Sequence, residues 1–308
     1  MMNPAEFAPI AGHPLHLAPM LTLVLAPNPS PMTHLGTNTY VVGDRDVVII
    51  DPGPDDAGHL AALMDVIGQR QVRHILMTHS HLDHSPLARP LAAATKAPIC
   101  AFGDSLAGRS NIMGELARQG LAGGGEGIDH DFQPDVILED GAVLSGTWGH
   151  LRALHTPGHI GNHLCFVWGD AVFTGDHVMG WASSLVSPPD GDLTDFMASC
   201  RRLQTIGAAL FYPGHGAPVD SPAERLAWLI DHRKGREHQI LETLKGRPFD
   251  IPALTRAIYN DVPDPLLPAA ARNVFAHLID LHQRQCVTAH PALGLEAEFN
   301  LTDVPSEA

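Results

Sequence analysis

The 308-residue sequence lacks several features that mark membrane-bound, exported and disulfide-rich proteins. No run of about 20 apolar residues is present, which is the length that a membrane-spanning helix needs. The N-terminal segment has no positively charged region before an unbroken apolar stretch, so no secretory signal is predicted. The 4 cysteines lie far apart without a Cys-x-x-Cys pair, which argues against a disulfide framework and a thiolate zinc knuckle. We therefore expect a cytoplasmic protein that has no membrane partner.

Positively charged side chains are also scarce. Lys and Arg number 19 against 34 Asp and Glu, so the formal net charge is −15. This balance argues against high-affinity binding of nucleic acid, because such affinity comes mostly from contacts with phosphates. Histidine, with 20 residues, is more frequent than Lys and Arg together. Since histidine is the commonest metal ligand and titrates near neutral pH, the surplus points to a metal site or an acid–base site.

The pattern of apolar residues changes near residue 220. Before it, short apolar runs bounded by Gly, Pro and Asp alternate with helical stretches, which is typical of a layered α/β (α+β) arrangement. After it, helical spacing predicts helices over 222–244, 251–260 and 268–285. We therefore predict one domain over 1–220 and a second, mostly helical domain with an acidic tail over 221–308.

The expected elements of the first domain follow from these runs. Strands are predicted at 39–42, 47–50, 74–77, 99–101, 151–154, 164–168, 171–174 and 210–212. Helices are predicted at 57–67, 85–94 and 193–206. Hydrophobic residues make up 44% of the chain, which is enough for a sizeable core and excludes disorder as the main state.

One apolar strand runs directly into four potential metal ligands, His79, His81, Asp83 and His84. Alternate residues of an extended chain point the same way, so His79 and His81 can face one ion together. Asp83 and His84 lie past a bend, at the start of the helix predicted from Ser85, and can face a second ion. Three surface histidines beside a capping Asp would be the structural alternative, but four such residues after a buried strand favour a metal site.

Three further strands end in a histidine or an aspartate. His159 follows the segment His155-Thr156-Pro157-Gly158, Asp176 follows Gly175, and His215 follows Gly214. Glycine lets the backbone turn sharply and approach closely, which suits a ligand placed at a strand end. These three segments and the segment 79–84 therefore all predict metal ligands at the ends of strands.

In this order the segments resemble the metallo-β-lactamase superfamily, and the match spans residues 20–220. Residues 36–40 and 49–53 are similar to the first strands of that family and to its Asp-x-Gly motif. The pairs His232-Arg233 and Arg236-Glu237 resemble the subgroup typified by lactamase-β-like protein 2, which appends a small winged-helix-like domain. The resemblance thus covers nearly the whole chain and makes residues 1–220 the catalytic domain.

The resemblance implies an αββα sandwich with a two-metal site at one edge and a small, mostly helical winged-helix-like C-terminal domain. It implies that one ion is held by His79, His81 and His159. It implies that the other is held by Asp83, His84 and His215. Asp176 would bridge both ions, and Asp83 and Asp176 are the expected catalytic residues. Zinc is the expected metal, and manganese or iron stays open because no thiolate belongs to the set.

Other residues are expected to support the site. Asp51 is predicted to orient a metal-bound histidine, with an ordinary Asp-Pro-Gly turn as the alternative. His155 and His177 are predicted to support the ligands or to be buried structural residues. We expect His232, Arg233 and Arg236 to pair with nearby acidic side chains such as Glu237, with binding of an anionic substrate as the alternative.

Two loops are harder to interpret from the residues alone. The glycine-rich segment 120–127 is predicted to be a surface insertion, with a lid facing the substrate as the alternative. The segment 183–192 is predicted to be a loop over the site or a plain loop.

The expected function is hydrolysis by a metal-activated hydroxide, with a small-molecule ester, thioester or lactone as the substrate. Cleavage of single-stranded RNA is the alternative, which the subgroup resemblance favours and the acidic catalytic domain weakens. An iron-dependent redox enzyme and a non-catalytic protein that binds metal and a partner are less favoured. A homodimer is the expectation from the frequency of such assemblies.

Overall fold

The computed structural model describes residues 7–124 and 127–302. Two residues of the glycine-rich segment and the end of the predicted acidic tail lie outside this part of the chain. The described residues form three β-sheets and seven α-helices. Within these ranges, no helix is both long enough and apolar enough to cross a membrane.

The first sheet has seven strands in sequence order. They are β1 (Pro14–Ala18), β2 (Leu21–Leu25), β3 (Asn38–Val42), β4 (Asp46–Ile50), β5 (Gln71–Leu76), β6 (Ile99–Ala101) and β7 (Val136–Ile137). The strands β1 to β4 pair antiparallel, and β4 to β7 pair parallel. Helix α1 (Ala57–Ile67) connects β4 to β5, and helix α2 (Ala88–Thr95) connects β5 to β6.

The second sheet has five strands in the order β12-β11-β10-β9-β8. They are β8 (Val143–Gly146), β9 (Gly149–His155), β10 (Leu164–Trp168), β11 (Ala171–Gly175) and β12 (Leu210–Pro213). Helix α3 (Asn111–Arg118) precedes this sheet, α4 (Leu193–Ile206) connects the parallel strands β11 and β12, and α5 (Pro222–Thr243) follows.

Alternating side chains of the strands hold four layers together. In β4, Val48 and Ile50 face the second sheet, while Val47 and Ile49 face helices α1 and α2. In β10, Phe166 faces the first sheet and Cys165 faces helices α4 and α5. The chain therefore forms the predicted αββα sandwich, with two sheets packed face to face between two helical layers.

A third cluster of apolar residues defines the C-terminal part. It contains α6 (Ile251–Ile258), α7 (Leu267–Gln283) and a sheet with the order β13-β15-β14. Its strands are β13 (Phe249–Asp250), β14 (Val287–His290) and β15 (Glu298–Leu301). A short 3-10 helix, Asp264–Leu266, precedes α7.

The two parts of the chain share helices. The first half of α5 packs Leu226 and Leu229 against the sandwich, while its end packs Ile240 and Leu244 against the C-terminal cluster. Helix α3, which precedes residue 220, also contributes to the C-terminal cluster. The boundary near 220 therefore remains a prediction, because α5 belongs to both cores.

Several elements differ from the sequence expectation. The helix predicted from Ser85 begins at Ala88, so Asp83 and His84 lie in a turn that precedes it. The reason is tertiary: Gly53 donates to the His84 carbonyl and accepts from the Leu87 amide, which holds the chain away from helical geometry. Helix α3, the strands β1, β2, β7 and β8, and the three C-terminal strands were not predicted, because short elements carry little periodicity of their own.

Candidate metal centre

The predicted site residues all follow strands at one edge of the sandwich. His79, His81, Asp83 and His84 follow β5, and Asp51 follows β4. His159, Asp176 and His215 follow β9, β11 and β12 in the second sheet. Because β9, β11 and β12 run in the same direction, their carboxyl ends lie at the same edge.

One group of three histidines has its ring nitrogens within 4.8 Å of one another. The His79 Nε2 and His81 Nδ1 atoms are 3.0 Å apart, and His159 Nε2 lies 3.0 Å from the same His81 atom. All three residues are buried. The geometry therefore brings together the three residues that the resemblance implies for one ion.

A second group contains Asp83, His84, Asp176 and His215. The His215 Nε2 atom lies 3.1 Å from Asp83 Oδ2 and 3.2 Å from Asp176 Oδ2. The same Asp176 oxygen lies 3.7 Å from His159 Nε2, which belongs to the first group. Asp176 thus stands between the two groups, at the position expected for a bridge.

The protonation of the histidines shows that these groups suit cations. His84 Nδ1 faces Asp51 Oδ2 at 3.0 Å, His215 Nδ1 faces the Gly36 carbonyl at 3.1 Å, and His159 Nδ1 faces the Leu185 carbonyl at 2.8 Å. These oxygens only accept, so each Nδ1 carries a proton and each Nε2 faces the centre, where it can take either a cation or a second proton.

The buried oxygens of the site lead to the same conclusion. Both carboxylate oxygens of Asp83 and the Oδ1 atom of Asp176 are buried without a hydrogen-bond donor among the described residues. A buried carboxylate oxygen without a hydrogen bond is costly, and positive charge nearby, from a bound cation or from the neighbouring imidazoles when protonated, removes that cost. The nitrogen and oxygen donors form a cluster that is suitable for two metal ions.

The neighbouring charges shift the pKa values of two histidines and two aspartates in the cluster. Although burial opposes it, the carboxylates of Asp83 and Asp176 raise the pKa of His84, and chiefly Asp176 raises the pKa of His215 to about 10. Conversely, the imidazoles of His84 and His215 lower the pKa of both carboxyl groups. Protons therefore compete with a cation for the same nitrogens.

Asp51 connects the two groups through Thr78, a residue that the sequence analysis missed. The Asp51 carboxylate accepts from the Thr78 amide at 2.7 Å, from the Thr78 hydroxyl at 2.5 Å and from His84 Nδ1 at 3.0 Å. The Thr78 oxygen then faces His79 Nδ1 at 2.9 Å. Asp51 adopts φ 49, a region that few residues other than glycine, Asn and Asp occupy. No single sequence signal marks Thr78.

The other predicted histidines lie outside the two groups. His155 Nε2 faces the Gly161 carbonyl at 2.9 Å and its ring stacks on Phe102, so it contacts none of the seven residues. His177 is buried against α4, where its Nε2 lies 3.4 Å from Cys200 Sγ. The structure therefore places both in the scaffold around the site, and a role in supporting the ligands remains a prediction for them.

Gly214 allows the ligand-bearing loops to approach closely. A Cβ atom at this position would lie 2.4 Å from Asp176 Oδ1 and 2.8 Å from His84 Cε1. Any other residue would displace the carboxylate or the imidazole. The glycine before His215 is therefore required by the geometry of the cluster.

The segment 177–192 has little regular structure and covers the cluster. Met179, Leu185, Ser187 and Asp190 from this segment line a cavity of about 30 Å³ beside His81, His159 and Asp176. Gly124 of the glycine-rich segment lines the same cavity. Gly124 thus lies beside the site, whereas Ala122 and Gly123 are exposed, so the choice between a surface insertion and a lid facing the substrate remains a prediction.

Arginine side chains hold this covering segment by its backbone. Arg225 donates to the Met179 and Ala182 carbonyls at 2.7 and 2.6 Å, and Arg233 donates to the Ser184 carbonyl. Arg272 donates to the Pro188 carbonyl at 2.8 Å. None of these bonds was foreseen in the sequence.

The expected pairing of two arginines with Glu237 is wrong. Glu237 binds Arg284 at 2.7 Å. Arg236 instead donates to Gln239 at 2.7 Å and lies 3.8 Å over the Tyr259 ring, while Arg233 is buried beneath the covering segment. Arg233 thus pairs with residues that are distant in sequence, and Arg236 pairs with Gln239 and Tyr259 rather than with an acidic side chain.

A second, larger cleft of about 560 Å³ lies beside the metal centre. Its wall includes Gly216, which follows His215, and Gly180, which follows the cavity residue Met179. Trp181 and Trp228 line it and are 37% and 47% exposed. The cleft wall therefore combines aromatic and apolar residues with the charged residues Asp220, Glu224 and Arg225.

Comparisons with known proteins agree with this architecture. The model of the Metallo-beta-lactamase superfamily matches residues 32–215, and the Beta-lactamase associated winged helix domain matches residues 251–292. The chain belongs to the metallo-β-lactamase superfamily. It is a hydrolase of this superfamily with a C-terminal winged helix domain, so the predicted family, fold and enzyme class are confirmed.

Two curated relatives show the extent of the similarity. The chain is 29% identical over 268 residues to the Beta-lactamase-like protein 2 homolog of Drosophila melanogaster, covering 84% of this chain and 87% of that protein. It is 31% identical over 238 residues to the Atrochrysone carboxyl ACP thioesterase of Aspergillus fumigatus, covering 75% of this chain and 66% of that protein.

Two solved structures share the fold along nearly the whole chain. A metallo-beta-lactamase family protein from Thermus thermophilus superposes with a TM-score of 0.72 at 24% identity, covering 93% of this chain and 100% of that one. A beta-lactamase domain protein from Burkholderia ambifaria gives a TM-score of 0.79 at 19% identity, with 96% of each chain covered. At these identities the likeness concerns the fold alone.

Proposed function

We propose that this protein is a dinuclear metal hydrolase that cleaves an ester, a thioester or a lactone. The observation that carries the proposal is the place of Asp176, whose Oδ2 lies 3.2 Å from His215 Nε2 and 3.7 Å from His159 Nε2. One carboxylate thus faces both groups of donors, which is the arrangement that two-metal hydrolases need.

The proposed ligands follow the two groups. His79, His81 and His159 hold one ion, and Asp83, His84 and His215 hold the other, with Asp176 shared. We propose zinc, because imidazole and carboxylate donors suit it, with manganese or iron as alternatives. When bound, two such ions supply a hydroxide nucleophile at neutral pH and stabilise developing negative charge on the substrate oxygen.

The protein's own residues orient the metal-binding imidazoles and transfer a proton during the reaction. Asp51 and Thr78 keep the protons of His84 and His79 on Nδ1, which leaves both Nε2 lone pairs directed inward. Asp83 Oδ1, which has no hydrogen-bond donor among the described residues, can take a proton from the attacking water. The same oxygen can return it to the leaving oxygen or sulfur after the acyl bond breaks.

The surroundings of the site support an acyl substrate. The adjacent cleft is lined by Trp181 and Trp228 and carries the acidic residues Asp220 and Glu224, which repel phosphates, while its arginine, Arg225, already donates to two backbone carbonyls. The arginines near the site already donate to backbone carbonyls of the covering segment. The net charge of −15 disfavours RNA binding, and the thioesterase among the relatives supports acyl chemistry.

Metal analysis and a parallel substrate assay test the proposal. Purified protein loaded with Zn²⁺ should hold about two ions per chain and hydrolyse an acyl-glutathione thioester or a homoserine lactone, but not single-stranded RNA. Asp176→Ala should abolish turnover and lower the metal content, whereas Asp261→Ala, a matched change at an exposed position, should alter neither.

Three outcomes would contradict the proposal. Cleavage of RNA without acyl hydrolysis would favour the phosphodiester alternative. Bound metal without turnover of any substrate would favour a protein that only binds metal and a partner. Activity that requires iron and oxygen would favour redox chemistry.

We also propose a cytoplasmic location. Cys100, Cys165, Cys200 and Cys286 are free thiols in the structure, as expected in a reducing compartment. Cell fractionation tests this assignment, and recovery in an oxidising compartment would refute it. The homodimer remains a prediction, which sedimentation of the full chain would check.

A further inference from the structure

The peptide group between Leu185 and Val186 lies between the metal centre and helix α7. Its carbonyl oxygen accepts from His159 Nδ1 at 2.8 Å, and its N–H donates to Asn273 Oδ1 at 3.4 Å. Because the carbonyl and the N–H belong to one planar group, they cannot rotate independently. A hydrogen bond on the N–H side also polarises the carbonyl on the other side.

Asn273 is in turn held by a buried arginine. Arg233 Nη1 donates to Asn273 Oδ1 at 3.1 Å, and its other terminal nitrogen donates to the Ser184 carbonyl. Arg233 is 3% exposed, and no carboxylate within the described ranges forms an ion pair with it. A buried cation without a counter-charge is costly, and the bonds of its two terminal nitrogens to Asn273 and to the Ser184 carbonyl offset part of that cost.

We infer that Asn273 and Arg233 are positioning residues for His159, so that the winged helix domain completes the metal centre. The inference rests on the proposed role of His159 as a ligand. The chain of hydrogen bonds runs from Arg233 through Asn273 and the Leu185–Val186 peptide to the His159 imidazole. It keeps the proton on Nδ1 and the Nε2 lone pair directed to the site.

The effect of this chain is confined to one of the two groups. His159 belongs with His79 and His81, whereas His84 and His215 have their own acceptors in Asp51 and the Gly36 carbonyl. Removing the Asn273 oxygen should therefore weaken one metal position and leave the other intact. A general loss of stability would weaken both.

Competition between the protein and a chelator for Zn²⁺ tests the inference on the full chain. Asn273→Ala should lower the affinity of one of the two ions by about tenfold, the lower end of the effect for residues that orient ligands. Asn273→Asp keeps an acceptor oxygen and should keep the wild-type affinity. Asn260→Ala, a matched change at an exposed position of the same domain, should have no effect.

Amide hydrogen exchange on the metal-free protein provides a second measurement. The Val186 amide should exchange faster in Asn273→Ala, and at the wild-type rate in Asn273→Asp and Asn260→Ala. Should Asn273→Ala fail to fold, Asn273→Leu removes the acceptor while keeping the side-chain volume.

The two proposals can fail separately. Wild-type affinity for both ions and unchanged Val186 exchange in Asn273→Ala would overturn this inference alone. A wild-type protein that binds no Zn²⁺ would overturn the proposed function, and the inferred role toward the metal with it.

Discussion

The replacement Asp51→Asn tests whether this aspartate prepares a metal-binding imidazole or merely shapes a turn. Asn tolerates the φ of 49 found at this position nearly as well as Asp, so the backbone should keep its conformation. The side chain is 2% exposed and nearly isosteric, so its packing also stays the same. What changes is the hydrogen bonding of the two terminal atoms.

The structure shows where the new amide would act. If the Asn oxygen keeps the bond to the Thr78 amide at 2.7 Å, the NH₂ group takes the place of Oδ2, which lies 3.0 Å from His84 Nδ1. Two donors then face each other, so the His84 proton moves to Nε2. That nitrogen points into the centre, 3.3 Å from His215 Nε2, and can no longer bind a cation.

We expect Asp51→Asn to lose 10- to 100-fold in metal affinity, which equals about 1.4 to 2.7 kcal/mol, chiefly for the ion at His84, and also for the ion at His79 because the same Oδ2 accepts from the Thr78 hydroxyl. Competition with a chelator, or the visible spectrum of the Co²⁺-loaded protein, measures this loss. Asp261→Asn, at an exposed position, serves as the matched control. Two ions bound with wild-type affinity in Asp51→Asn would refute the reasoning and leave Asp51 as an ordinary turn residue.

Three further changes probe the same geometry. Gly214→Ala places a Cβ 2.4 Å from Asp176 Oδ1 and should lower the metal content, as measured by elemental analysis, whereas Gly235→Ala, with open space around it, should not. In the metal-free protein the His215 pKa is raised to about 10, so protonated His215 contributes its full stabilising free energy below pH 6.5, and this contribution is lost as the pH rises to about 10. The melting temperature of His215→Gln should therefore change less with pH over this range than that of the wild type. Phe166→Ala, at 0% exposure between the sheets, should cost about 3 to 5 kcal/mol in urea unfolding, and a loss below 1 kcal/mol would contradict the packing described.

Much of the sandwich could be predicted from local patterns. Helices α1 and α4 have the bounds that their apolar spacing predicts, and the buried strands β4 and β10 fall where short apolar runs occur. Such elements carry their signal in their own residues, because the side chains that face one layer recur at a fixed period. The strands β14 and β15 have only four residues each and are stabilised by pairing with each other, so their pattern was too short to detect.

The sequence by itself also determined the candidate ligands. Seven histidines and aspartates follow strands, in segments rich in glycine and proline, and their order resembles a known family. This was possible because ligand type and strand-end position are local properties. The geometry of the structure brings all seven together as the resemblance implies.

Only the tertiary structure decided what surrounds the ligands. Thr78, Leu185 and Asn273 take part in the site through hydrogen bonds to backbone or side-chain atoms, and nothing in their own sequence segments marks them. Arg233 bonds a carbonyl 49 positions away rather than the neighbouring Glu237. Such hydrogen-bond partners depend on how helices and loops pack across the two parts of the chain. The local pattern of a single sequence does not show which distant residues this packing brings together.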